Sequence, residues 1–374
     1  MNRTDARVRP SGAAGCPQEE SVRWGGDLGP GEPVVAFDVG GTDVKCCLVD
    51  AGGVIVEIRR IPAPPPGADA GRRVVDLVTQ AAAYFGDRHP EVTPVGAGLV
   101  VPGTVDEGAG IGVYSKNLGW SKFPFRERAT EALGLAVAFG HDVRAAGVAE
   151  FRVGAAAPFS DAVVVAIGTG IAAAVFIDGR LHSGGGLAGE IGHARVADAP
   201  ECGCGGTGCL EAVASASAIA RRYSAASGHP VTGAKAVLER ATAGDPTAVK
   251  VWESALDALA LGISHAVLLL APEAIVLAGG LAQAGPRLFA PLERRLDELL
   301  TFQHRPRLLP AAVGEDAGAI GAALLARDLR AADALDVADD GRASGAGRSH
   351  KCSTQGTDSL RTWPMLQRER DMNP

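Results

Sequence analysis

The chain has little aromatic character and little positive charge. Aromatic residues make up 5% of 374 positions, and the formal charge is −7. A balance this acidic excludes a broad nucleic-acid-binding surface, so no nucleic-acid partner is expected. No uninterrupted apolar run approaches the ~18 residues of a membrane span, and none near the N-terminus resembles a secretion signal. With seven cysteines, an odd number, the chain does not read as a disulfide scaffold. The G-x-x-x-x-G-K-[ST] phosphate loop is absent. Two literal G-x-G-x-x-G matches begin at Gly184 and Gly203, but neither follows a strand and opens a helix, so the dinucleotide fingerprint fails in context.

Apolar residues (47%) and 50 glycines suit an Ala/Val/Gly-rich α/β enzyme rather than a fibrous or disordered chain. The length allows two domains. The stretch 34–50, VVAFDVGGTDVKCCLVD, reads as two strands joined at Gly40, Gly41 and Thr42. Paired glycines suit a tight turn because glycine takes positive φ cheaply. Lacking Cβ atoms, the same turn lets backbone N–H groups approach an anion. Asp38 ends the first strand, where a carboxylate could meet a phosphate-bound Mg²⁺. A plain hairpin explains the glycines equally well.

Further strands are expected at 55–61, 95–101 and 136–139, with helices at 72–85, 125–133 and 144–153. A second round then begins: strand 162–167, the turn Gly168-Thr169-Gly170, and strand 171–177. Such a repeat predicts two lobes facing a cleft. Helices follow at 212–224, 234–242, 247–270 and 287–300, with a strand at 274–278 closed by Gly279-Gly280. An Ala-rich helix at 317–329 is expected to pack back on the first lobe. Residues 1–32 lack periodicity and read as a disordered leader, and 331–374 read as a floppy tail.

His193, Cys202, Cys204 and Cys209 form the sharpest local signal. One imidazole and three thiols on a glycine-rich loop can close a tetrahedral shell, which predicts a structural Zn²⁺ in a reducing cytoplasm. The carboxylates are less decisive. Asp142 follows a strand and opens a helix, so capping competes with catalysis. Glu190 and Glu211 flank the cysteine loop. Together with the amide of Asn117 they offer acceptors suited to sugar hydroxyls, although each alone reads as a solvated surface group.

In order, DVGGTDVK (38–45), VPGTVD (101–106), NLGW (117–120), HDVRAAGVAE (141–150), IGTGIAAAVFIDGR (167–180), AGEIGH (188–193), CGCGGTGCLE (202–211) and VLAGGLAQAG (276–285) resemble the ROK-family sugar kinases, and within them the bacterial ATP-dependent glucokinases. The resemblance covers about residues 33–328. It implies a two-lobed actin-like, ribonuclease-H-like α/β fold. Residues 33–141 would form a small lobe completed by helix 317–329, and 142–316 a large lobe carrying the zinc loop 193–209. By position it implies Asp142 as the general base for a sugar hydroxyl. Asn117, Glu190, His193 and Glu211 would hold the sugar, with His193 shared with zinc. Gly40, Gly41, Thr42, Lys45, Gly168, Thr169 and Gly170 would meet the ATP phosphates. Gly279 and Gly280 would border the adenosine, and Asp38 would support Mg²⁺.

The resemblance further implies phosphorylation of a hexose, glucose first, by a cytoplasmic homodimer. Two departures stand out. The family's Asn-Asp-x-Asn is His141-Asp142-Val143-Arg144 here, so Arg144 is expected to lower the basicity of Asp142 through charge pairing. Ala172, Ala173 and Ala174 replace a glycine-richer run, where methyl groups could crowd the phosphates. Other expectations are a sugar-responsive ROK transcriptional regulator, a weakened sugar-binding homologue, a kinase for an N-acetylhexosamine or fructose, and polyphosphate as donor.

Overall fold

A computed structural model describes residues 26–343, with side chains to 332. The chain divides into two units, Met1–Ala331 and Ala332–Pro374. Of the second unit, only the continuation of one helix to Ala343 is described.

The first unit contains two sheets of the same design. One holds β1 (Val34–Val39), β2 (Asp43–Val49), β3 (Ile55–Pro62), β4 (Gly96–Val101) and β8 (Ala136–His141), in the order β3-β2-β1-β4-β8. Between β4 and β8 the chain makes a small sheet of β5 (Thr104–Asp106), β6 (Ile111–Tyr114) and β7 (Ser121–Phe123). The second large sheet holds β9 (Ala162–Ile167), β10 (Ile171–Ile177), β11 (Arg180–His182), β12 (Ala274–Ala278) and β13 (Arg307–Pro310), in the order β11-β10-β9-β12-β13. In each sheet the first three strands pair antiparallel, and the next two add in parallel to the founding strand. The repeat expected from the two glycine-threonine turns is therefore present.

The helices are α1 (Ala70–Arg88), α2 (Phe125–Leu133), α3 (Asp142–Val153), α4 (Leu210–Ala214), α5 (Ala216–Ser227), α6 (Gly233–Thr242), α7 (Pro246–Leu270), α8 (Pro286–Leu299) and α9 (Ala317–Ala343). Each founding strand is buried on both faces, as its unbroken apolar run requires. Val35 and Phe37 face a core shared with α1 and α2, while Val34 and Ala36 face α9. Likewise Val163, Val165 and Ile167 face the core under α4–α8, and Ala162 and Val164 face α3 and α9. Thus α3 and α9 lie between the sheets. Small residues let them approach: a Cβ on Gly321 would lie 1.8 Å from the Ala145 carbonyl oxygen, and one on Gly98 2.0 Å from that of Ala322. Glu150, 1% exposed, is neutralised by three backbone N–H groups, of Ala155, Ala312 and Val313 at 2.8–3.0 Å. Those bonds tie the end of α3 to the segment entering α9.

Several expectations change. The helix expected at 212–224 is two helices, because Ser215 caps α5 by accepting from Ala218 N–H. Strands β5–β7, β11 and β13 carry too few residues to show a period of two. Helix α9 serves both sheets rather than the first alone, and it runs past residue 331, so the tail reading is wrong up to Ala343. The leader reading fails at its end: Arg327 binds the carbonyls of Gly29, Glu32 and Asp50, so residues 29–32 are tied to the body. Residues 1–25 and 344–374 lie outside the described residues. Helix α7 is long and apolar enough by composition to span a membrane, but 56% of its most apolar window is buried, with Trp252, Leu256, Leu259 and Ile263 in the core. It starts where Asp245 accepts from Thr247 and Ala248 N–H and Pro246 fixes the first turn.

Candidate active site

The register of the first sheet arranges the first charges. Asp38 of β1 lies opposite Lys45 of β2, which lies opposite Arg60 of β3. Lys45 Nζ sits 3.9 Å from Asp38 Oδ2 and donates to the Glu315 carbonyl at 2.6 Å. Arg60 pairs with Glu315 at 2.9 Å and Asp316 at 3.2 Å. Lys45, expected at the phosphates, is thus also the counter-ion of Asp38. Glycine at 318 makes room for the carboxylate, since a Cβ there would lie 2.2 Å from Asp38 Oδ2.

Burial, followed by the charge of Asp142, raises the Asp38 carboxyl to about 7; Asp43 and Asp316 add to this and Lys45 opposes it. Asp38 and Asp142 therefore share one electrostatic site. Asp38, whose ionised form is disfavoured by burial and by neighbouring negative charge, is a fitting donor for a hard cation such as Mg²⁺, which would offset both. The raised value has a measurable consequence. Between about pH 4 and 7 the folded protein keeps a proton that the unfolded chain has released, so stability falls as pH rises through that window. Asp38→Asn removes the effect. Its melting temperature is expected to match wild type near pH 4 and exceed it by at least about 3 °C at pH 8 without Mg²⁺. Parallel melting curves at both pH values would contradict the assignment.

The two glycine turns differ from expectation in one respect. None of Gly40, Gly41, Gly168 and Gly170 adopts positive φ. At Gly40 and Gly170 glycine is required for space instead. A Cβ on Gly40 would lie 2.9 Å from the Asp43 carbonyl oxygen, and one on Gly170 2.5 Å from Glu211 Oε2. Gly41 and Gly168 have nothing within 4 Å on the Cβ side, and Thr42 and Thr169 beside them are exposed. Both turns thus leave open backbone that phosphate oxygens could approach. Gly279 does have positive φ, +83°, and packs against the Ile167 carbonyl, with Gly280 open beside it.

Asp142 is the first residue of α3, and the N-cap position belongs to His141. Its Oδ1 accepts from Val143 N–H at 2.7 Å and lies 3.3 Å from His141 Nδ1. Oδ2 has no protein donor among the described residues, and the side chain is 26% exposed. From the N1 position this carboxylate satisfies the N2 amide of Val143 with Oδ1 alone, so its part in capping leaves Oδ2 unused. One oxygen is held and the other is available to accept a proton.

Arg144 does not pair with Asp142. Its Nε donates to Glu107 Oε1 at 2.9 Å and its Nη1 to the Gly186 carbonyl at 3.1 Å. The same Glu107 oxygen accepts from His141 N–H at 3.2 Å. Glu107 thus grips the residues on both sides of Asp142, and Arg144 joins the β5–β6 turn, α3 and the 184–186 turn. Sequence reasoning missed Glu107, because nothing local connects it to a residue 37 positions away. Glu107→Ala leaves a 3%-exposed guanidinium without its carboxylate. It is expected to cost roughly 3–5 kcal/mol and lower kcat by about 10²-fold through displacement of Asp142. Glu107→Gln, which keeps the acceptor, is expected to recover most of kcat. Equal kcat in both variants would contradict the positioning role.

Glu190, His193 and Glu211 collect around the cysteine loop. His193, Cys202, Cys204 and Cys209 present ligand atoms all within 4.8 Å of one another. Cys202 Sγ lies 3.7 Å from His193 Nδ1, and Cys204 Sγ 3.7 Å from Cys209 Sγ. Tetrahedral Zn²⁺ with Zn–S near 2.3 Å has edges of about 3.7 Å, so the residues fit the ion. With His193 Nδ1 turned to the thiols, Nε2 faces Glu190 Oε2 at 3.9 Å. Cys209 is the N-cap of α4, and Glu211 in its first turn accepts from Ile171 N–H at 2.9 Å, beside the second glycine turn. The loop therefore couples Glu190, His193 and Glu211 to that turn. Asn117 stands exposed, next to Leu118, whose carbonyl accepts from Gly67 N–H at 2.8 Å.

Comparison with known proteins gives the family and the fold. The family model described as ROK family matches residues 34–329. A glucokinase of Halalkalibacterium halodurans is 32% identical over 314 residues, covering 78% of this chain and 94% of its own length. An N-acetylmannosamine kinase of Escherichia fergusonii is 32% identical, covering 78% and 98%. A ROK hexokinase from Thermus thermophilus superposes with TM-score 0.72 at 32% identity, covering 80% and 99%. A ROK family glucokinase from Streptomyces griseus, in complex with glucose and AMPPNP, gives 0.67 at 28%, covering 79% and 99%. The chain belongs to the ROK family and has its two-lobed actin-like fold.

Proposed function

We propose that this protein is a ROK sugar kinase that transfers the γ-phosphoryl group of Mg-ATP to the 6-hydroxyl of a hexose, glucose foremost. One observation carries the reading: Asp142 has a carboxylate oxygen with no protein donor among the described residues, and its charge acts on the buried Asp38, which leads into the first glycine turn. Phosphoryl transfer asks little covalent chemistry of a protein. Positioning and charge neutralisation dominate, and one base directs the attacking oxygen. Asp142 Oδ2 accepts the hydroxyl proton while Val143 N–H holds Oδ1 in place. Glu190, His193, Glu211 and Asn117 accept or donate to the remaining hydroxyls. The turns at 40–42 and 168–170 direct backbone N–H groups at the phosphates, and Mg²⁺ when bound supplies further positive charge against them. Zinc, in this reading, is structural.

N-acetylmannosamine is the second substrate reading, favoured by the equal identity to an N-acetylmannosamine kinase. An ADP-coupled assay separates the two. Purified protein with Mg-ATP is given glucose, mannose, fructose, N-acetylglucosamine and N-acetylmannosamine in turn, with polyphosphate as alternative donor. Glucose is expected to give the highest kcat/KM with ATP. An N-acetylhexosamine more than tenfold better would reassign the sugar, and ADP release independent of any sugar would overturn the kinase reading.

A further inference from the structure

We propose that the concavity between β3 and α1 is a second ligand site, outside the hexose cleft, for a small hydroxylated anion carrying a phosphate or carboxylate group. The concavity has a volume of about 430 Å³ and is lined by Arg59, Ile61, Arg73, Asp76, Leu77 and Gln80 among others. None of these belongs to the catalytic constellation. The volume lies within the range of small-molecule sites, about 300–1,000 Å³.

Both arginines are uncommitted to carboxylates among the described residues. The Arg59 guanidinium stacks 3.6 Å from the centre of the Tyr84 ring, which fixes its plane and leaves its edge free. The nearby Glu57 is taken by Tyr84 Oη at 3.2 Å and His89 Nε2 at 2.6 Å. Arg73 donates one Nη2 bond to the Pro65 carbonyl at 2.8 Å, and its Nε is buried with no partner. A buried donor without an acceptor is rare in native proteins and marks a missing ion, water or ligand. Planar guanidinium forks match phosphate and carboxylate oxygens. Ile61 and Leu77 give the site an apolar floor. Asp76 and Gln80 add acceptors for hydroxyl groups, which selects a hydroxylated anion over a bare one.

The site is wired to the cleft by one strap. The segment 63–67 that Arg73 holds at Pro65 begins with Ala63 N–H on the Thr42 carbonyl at 2.9 Å, and ends with Gly67 N–H on the Leu118 carbonyl at 2.8 Å. It thus touches the first glycine turn and the turn bearing Asn117. An anion drawn to Arg73 competes for the same guanidinium and shifts the strap, so hexose KM responds.

Isothermal titration calorimetry tests binding directly, with glucose and AMPPNP present in saturating amounts so that the cleft is filled. The probes are glucose 6-phosphate, inorganic phosphate and gluconate. They separate a phosphate ester, the bare anion and a carboxylate. At least one of the hydroxylated probes is expected to bind. Arg59→Gln should weaken it about tenfold, and Gln80→Glu, an exposed change that adds like charge, several-fold. Both variants should keep basal kcat, and hexose KM should shift at least twofold with the probe in wild type but not in Arg59→Gln. No binding of either hydroxylated probe with the cleft filled, or unchanged binding in Arg59→Gln, overturns the site. Binding with no shift in KM overturns the strap coupling. The calorimetric result does not need turnover, so it stands or falls separately from the kinase reading.

Discussion

Asp142→Asn is expected to lower kcat for hexose-dependent ADP release by about 10²–10⁴-fold, the range for loss of a general base, with hexose KM changed far less. The asparagine keeps the shape, and its side-chain oxygen can still accept from Val143 N–H. What disappears is the acceptor at Oδ2. Because His141 Nδ1 and Val143 N–H both lie on the Oδ1 side, the substitution leaves the start of α3 folded, and Glu107 still holds residues 141 and 144. Melting temperature should therefore move little, which separates lost chemistry from lost structure. A variant within tenfold of wild-type kcat would remove Asp142 from the role of base.

Loss of the proposed zinc is expected to give the second large effect. Four ligand atoms lie within 4.8 Å of one another, and a zinc ion held by them would anchor a loop of glycines and short turns. Elemental analysis of freshly prepared protein should give about one zinc per chain. Cys209→Ser, at the cap of α4, is expected to raise hexose KM by roughly 10–100-fold, because Glu211 is on that helix and His193 is itself a ligand. KM for ATP should change less than hexose KM, since Glu211 borders only the second glycine turn and the first lies on the other sheet. A metal content below half an equivalent, or an unchanged hexose KM in Cys209→Ser, would contradict the zinc account.

Much of this was legible in the sequence because local chemistry marked it. The strands at 162–167, 171–177 and 274–278 have the bounds expected, each a short apolar run closed by glycine or turn residues. The His/Cys cluster was legible because its four ligands lie within about seventeen residues. Long-range partners were not. Arg144 beside Asp142 in sequence suggested an ion pair that the fold gives to Glu107 instead, and the row Asp38–Lys45–Arg60 exists only once three strands are in register. Of the two reasons the sequence offered for Gly40 and Gly41, positive φ is absent from both; close approach requires glycine at 40, and Gly41 has open space on its Cβ side. Ser215 split one expected helix into two because a capping hydroxyl outweighed the continuing apolar period.

Two lobes and one aspartate make a claim that product analysis can decide. Wild-type protein, glucose and Mg-ATP are followed by ³¹P and ¹³C NMR beside the Asp142→Asn variant. The predicted result is a single phosphate monoester, on carbon 6, growing in step with ADP in the wild type and absent from the variant over the same time. ADP accompanied only by inorganic phosphate, or an equal yield of sugar phosphate from both proteins, would contradict it.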